Sequence, residues 1–229
     1  MKLAYRIIEP EGESAPSTGA SGVLLHGQGG VPIDQMVALA RGSGLDGRLV
    51  VLFGDYATTA SGMEVWGPCW YRSLPGGAGT DPLTLTRAVV QVSDVLADAD
   101  VGLDRPVLVG WRQGAAVAAG VALHVPDAVG ALVALDVPAS HLALLPASLS
   151  VEDAAPAVLL VDTSSADDAD IEVAGRELRR RGVVPEEWRL SDGDGNPAGD
   201  RENDDLVAGA VARFIGTATG RRVAEGSAR

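Results

Sequence analysis

Apolar positions along this chain fall into two alternating patterns. Continuous apolar runs at residues 23–25, 49–53, 107–109, 131–135 and 157–161 have the length of strands buried on both faces, and residues 3–8, interrupted by Arg6, read as a first strand. Between them, apolar residues return at helical spacing. Residues 32–41 put Ile33, Met36, Val37 and Leu39 on one side. Asp81-Pro82 opens a helix running to about residue 99, striped by Leu85, Val89, Val92 and Leu96. Proline suits that start because the first helical N–H needs no partner within the helix. Residues 170–181 are amphipathic and stop at Gly182, a natural C-cap. A short strand at 187–190 and a helix at 204–215 complete the pattern. Residues 9–21 and 136–155 read as loops, the second containing His141, and residues 54–79 show no period. The polar segment 217–229 is expected to fray, which leaves one domain over residues 1–216.

Strands alternating with helices, with the strands apolar throughout, predict a mainly parallel α/β sheet of about seven strands, helices on both faces and little or no cap. Ligands on such sheets bind beyond the carboxyl ends of the strands. The segments to search for chemistry therefore begin at His26, Gly54, Gly110, Asp136, Asp162 and Ser191.

Composition narrows the function classes. The formal net charge of −13 disfavours nucleic acid and anionic membranes as partners, since phosphates need a basic face. An acidic surface does not forbid a homodimer. Of the 18 basic residues only Lys2 is lysine, which suggests a GC-rich, actinobacterial coding bias. Cys69 stands alone, so neither an internal disulfide nor a cysteine metal cluster is available. No His, Asp or Glu spacing argues for a metal. Gly27-x-Gly29-x-x-Pro32 is a poor dinucleotide fingerprint, because proline replaces the third glycine. No cofactor is expected. The N-terminus lacks the apolar run of a signal peptide and no 18-residue apolar window occurs, so a cytoplasmic protein is expected.

One motif carries most of the chemical information. After Pro106-Val107-Leu108-Val109 comes Gly110-Trp111-Arg112-Gln113-Gly114, and then an Ala-rich helix over residues 115–123. Strand, glycine-bracketed turn and helix make up the nucleophile elbow, G-x-S-x-G. Its central position holds arginine here, and a guanidinium cannot attack a carbonyl.

Leu25-His26-Gly27-Gln28-Gly29-Gly30, Gly110–Ala115 and His124-Val125-Pro126-Asp127 together resemble the α/β-hydrolase superfamily, most closely its small phospholipase/carboxylesterase branch. The resemblance runs from about residue 23 to residue 215 and implies an α/β-hydrolase fold. It places Arg112 at the serine position. The histidine would follow the last strand, where residues 191–197 contain none, and the aspartate would follow residue 161, which offers Asp167 and Asp168. A Ser-His-Asp mechanism needs a nucleophile and a base within hydrogen-bond reach, so acyl-enzyme hydrolysis is not expected. The resemblance also implies an oxyanion hole from the backbone N–H groups of Gln28 and Gln113. An arginine at the helix N-terminus is unfavourable by about 0.3–1 kcal/mol, so Asp167, Asp168, Asp192, Asp194 or a bound anion should compensate it.

Nine residues of the chain are aromatic, and three of them fall within residues 66–71. Trp66, Trp70, Tyr71 and Trp111, with His26, are accordingly candidate pocket walls for an apolar substrate. His141 or Asp194 would move a proton. The leading expectation is a non-hydrolytic, cofactor-free enzyme in which Arg112 stabilises an enolate or phenolate of a small molecule, in C–C bond formation, cyclisation or elimination. The alternatives are an inactive pseudo-hydrolase that binds a small anion and a hydrolase in which an aspartate activates water.

Overall fold

The computed structural model describes residues 3–10, 19–27, 33–57, 68–74, 79–145, 155–163, 169–190 and 200–226. The strands are β1 (Ala4–Ile8), β2 (Gly22–Leu25), β3 (Leu49–Phe53), β4 (Tyr56–Ala57), β5 (Pro68–Cys69), β6 (Val107–Trp111), β7 (Ala131–Leu135), β8 (Ala157–Asp162) and β9 (Glu186–Arg189). The helices are α1 (Ile33–Gly42), α2 (Pro82–Ala97), α3 (Gln113–His124), α4 (Ala139–Leu142), α5 (Ala169–Arg180) and α6 (Asp200–Gly226).

Seven strands form one sheet in the order β1-β3-β2-β6-β7-β8-β9. Every pair is parallel except β1 with β3. Strand residues alternate between two buried layers. Val23, Leu25, Leu108, Leu132 and Leu160 face a core completed by α2, α3 and α5. Leu24, Val107, Val109, Val133 and Leu159 face a second core, to which α1 and α6 contribute Met36, Ala40, Val211 and Phe214. Burial on both sides is why the inner strands β2, β3, β6, β7 and β8 read as apolar runs, while the edge strands β1 and β9 carry exposed polar residues such as Arg6 and Glu186. Helix α3 lies deepest, with every residue from Gln113 to Leu123 buried. Helix α2 starts as its sequence predicts: the Asp81 carboxylate accepts the Leu83 N–H at 3.0 Å, and Pro82 follows.

Three features differ from the pattern. A four-residue helix, α4, interrupts the segment 136–155 read as loop. A two-stranded β4–β5 ribbon organises part of the aperiodic stretch after Gly54, pairing Tyr56 with Cys69. The last helix begins four residues earlier than expected and runs on to Gly226, so the segment expected to fray is helical through that residue. No proline stops it, and Thr217 bonds its hydroxyl back to the Arg213 carbonyl within the continuing helix.

Candidate functional site

The carboxyl ends of β2, β3, β6, β7 and β8 share one edge of the sheet. One sharp bend at that edge turns β6 into α3. Arg112 forms it with φ 48° and ψ −110°, a backbone region that L side chains rarely occupy. Both flanking glycines are required. A Cβ on Gly110 would lie 2.5 Å from the Gly114 carbonyl oxygen, and one on Gly114 would strike the Leu25 and His26 carbonyls. Arg112 donates its backbone N–H to the Leu135 carbonyl at 2.8 Å, and its own carbonyl accepts from Ala116 at 3.2 Å. The geometry is that of an elbow, with arginine at the tip.

The Arg112 side chain is exposed. Its Cβ and Cδ run past Gly27, 3.7 and 3.9 Å from where a Cβ on that glycine would stand. Among the described residues no hydrogen bond or ion pair engages its guanidinium. The side chain does not cap α3, so the positive end of the helix and the positive charge lie together. The aspartates expected to compensate, Asp167, Asp168, Asp192 and Asp194, lie outside the described residues, as do Gln28 and Trp66.

One acidic group missed by the sequence reading does stand beside the elbow. Trp111 pairs with Leu135 in the β6–β7 register, so Asp136 is the residue level with Arg112. Its φ of 50° repeats the bend, and its N–H donates to the Val161 carbonyl at 2.8 Å. Its carboxylate turns away from the arginine. Oδ1 accepts the Thr163 N–H at 2.7 Å and Oδ2 the Thr163 hydroxyl at 2.6 Å, which ties β7 to the loop after β8. The available signal was an aspartate directly after an apolar strand.

Gln113 is buried, and its Oε1 accepts the Trp70 backbone N–H at 3.1 Å. As the first residue of α3, its own N–H has no acceptor within the helix.

The aromatic wall expected from sequence does not assemble from the described residues. Trp70 and Tyr71 are each 1% exposed and belong to the core under α2 and α3. Trp111 packs against the opposite core. Residues 107, 109 and 111 of one strand must share a face, so Trp111 follows Val107 and Val109.

His26, a candidate pocket wall, is packed inside the fold. It is 2% exposed and stacks on Trp70 at 5.0 Å. Nε2 accepts the Gly54 N–H at 3.1 Å, which requires the proton on Nδ1, where the Gly27 carbonyl accepts it at 2.6 Å. Its own carbonyl accepts Trp70 Nε1–H at 2.8 Å. Burial lowers its pKa, against an upward pull from the Gly27 bond.

Tyr71 and His141 meet, although 70 residues separate them in sequence. The phenol oxygen lies 2.6 Å from Nδ1, with the rings edge-on at 89°. Burial pushes the Tyr71 phenol well above its ordinary range, helped by Cys69, and lowers the His141 pKa. Helix α4, which carries His141, is held by Arg181: its Nη1 donates to the Leu145 carbonyl at 2.9 Å and its Nη2 to the Leu142 carbonyl at 3.0 Å.

No family model matches the chain, and no curated protein matches its sequence. Solved structures do resemble it in fold. Esterase PE8 superposes with a TM-score of 0.68 at 22% identity, over 93% of this chain and all of that one. A carboxylesterase from Mesorhizobium loti gives 0.66 at 18% identity, covering 93% of this chain and 94% of the other. The Bacillus cereus carboxylesterase gives 0.62 at 17%, over 91% and 94%. At these identities the likeness is one of architecture: the chain has the α/β-hydrolase fold. Among the described residues no helix is long and apolar enough to cross a membrane.

Proposed function

We propose that this chain uses the hydrolase frame to hold an anion at Arg112 and carries out no acyl transfer there. The observation behind this reading is the guanidinium itself. It stands exposed at an elbow tip, at the N-terminus of α3, with no carboxylate partner among the described residues. A small molecule with a carboxylate, phenolate or enolate oxygen suits that position. Arg112 and the Gln113 N–H would be its donors.

We favour the form in which the anion arises during turnover, which makes the protein a non-hydrolytic, cofactor-independent enzyme of C–C bond formation, cyclisation or elimination. Preorganised donors of this kind supply about 3–4 kcal/mol each to a developing oxyanion. The hydrogen-bonded Tyr71–His141 pair, whose histidine sits on the helix that follows β7, favours an enzyme over a passive receptor. A pseudo-hydrolase that binds a ready-made anion is the second form. Hydrolysis by aspartate-activated water is compatible with the esterase neighbours.

Calorimetric titration with benzoate tests the anion site. The wild type should bind it, and Arg112→Gln should weaken binding by about tenfold, the worth of one charged hydrogen bond. Equal affinity in both proteins defeats the reading. Turnover of p-nitrophenyl esters that disappears in Asp194→Asn would favour water activation instead.

A further inference from the structure

Among the described residues, one of the two ring nitrogens of His141 has a partner. Tyr71 is buried, and a buried phenol O–H requires an acceptor. Among the described residues its hydroxyl has one partner, His141 Nδ1. The hydroxyl must therefore donate and Nδ1 must accept, which leaves the proton of a neutral imidazole on Nε2. That nitrogen lies on the side of the ring away from Tyr71, in a half-buried residue, and no described residue engages it. The helix that carries the ring is fixed as well. The His141 N–H donates to the Pro138 carbonyl at 3.0 Å, and Arg181 holds the carbonyls at the end of α4.

We propose that His141 is a neutral hydrogen-bond donor to the bound molecule, offering Nε2–H to a carbonyl, carboxylate or enolate oxygen while Tyr71 fixes its tautomer. This rests on the reading of the elbow edge as a ligand site and changes the part expected of His141 there. A general base needs a free lone pair, and the lone pair of this ring is turned to the phenol. A neutral imidazole N–H instead polarises an oxygen without surrendering its proton. Arg112 and His141 then act as two donors to oxygen, one charged at the end of β6 and one neutral on α4, the helix that follows β7.

Long-range proton–nitrogen correlation spectra of the full chain, labelled with nitrogen-15, read the tautomer directly. Near neutral pH the wild type should show His141 in the Nε2–H form, and Tyr71→Phe should show a mixture. Benzoate should shift the Nε2 resonance. His141→Ala should weaken benzoate binding about tenfold, and His141→Gln, which keeps an N–H donor, should restore most of it. An Nδ1–H tautomer in the wild type overturns the proposal. So does an Nε2 signal that no benzoate concentration moves, or an Ala variant with unchanged affinity. Arg112→Gln separates the two readings. If it binds benzoate as tightly as wild type while His141 still responds, the elbow is not the anchor and the His141 site stands.

Discussion

Arg112 and Asp136 stand level at the ends of adjacent parallel strands, bent alike at φ 48° and 50°, and their charges do not pair. Each donates its backbone N–H to the last or second-last carbonyl of the next strand, Leu135 for Arg112 and Val161 for Asp136. The aspartate is committed to Thr163, so it does not neutralise the arginine.

Arg112 is retained at a cost in stability. A non-glycine residue in this backbone region costs about 1–3 kcal/mol, and a cation at a helix N-terminus about 0.3–1 kcal/mol. Glycine removes both terms and loses roughly 0.4–1 kcal/mol to unfolded-chain entropy. Arg112→Gly should therefore raise stability by about 1 kcal/mol in urea titrations while losing benzoate binding. A less stable Arg112→Gly protein would mean that the arginine has a structural partner.

The bracketing glycines should respond in the opposite sense. Gly114→Ala drives a methyl into two backbone carbonyls that cannot yield separately from β2. A loss of about 3 kcal/mol or more is expected, with chemical denaturation as the check. A near-neutral alanine there would contradict the elbow geometry.

Asp136→Ala removes both acceptors of Thr163 and should cost about 2–3 kcal/mol. Asp136→Asn keeps one acceptor and tolerates positive φ, so it should cost less than half as much. Equal losses in the two variants would show that the carboxylate bonds are not what matters.

How much of this was legible in sequence depends on distance along the chain. The elbow, the Asp81 cap and the Gly182 stop are local, and one sequence window contains each signal; Gly182 indeed takes φ 80°. The split of Trp70 from Trp111 was half legible, because strand periodicity alone puts Trp111 on the face of Val109. The Tyr71–His141 and Asp136–Thr163 contacts join residues 70 and 27 positions apart. Only the tertiary fold brings them together, and no periodicity encodes which side chains then touch.

Acid should weaken the protein through two of its histidines. His26 and His141 both have pKa values lowered by burial, so the unfolded chain binds protons first as pH falls. Stability is then complete above the unfolded histidine pKa of about 6.5 and declines below it, by up to about 1.4 kcal/mol per pH unit for each residue. Urea midpoints measured across that range should fall with pH, and His141→Gln should flatten part of the slope. A flat wild-type profile would show that neither imidazole is held neutral.

Arg181→Ala should loosen α4 and, through it, His141. The side chain is 11% exposed, pairs with Glu177 at 2.9 Å and holds two carbonyls. A loss of about 2–3 kcal/mol is expected, with faster amide exchange over residues 139–145 than elsewhere. Uniform acceleration across the chain would mean that the arginine stabilises the whole domain and not this helix.

The bend at residue 112 is enforced from its shoulders, by glycines wedged against backbone, and not from its tip. The tip is therefore a socket: hydroxyl, thiol, carboxylate or cation can be exchanged there with the surrounding sheet left as it is, which makes this one position a place to install new reactivity in an otherwise unaltered protein.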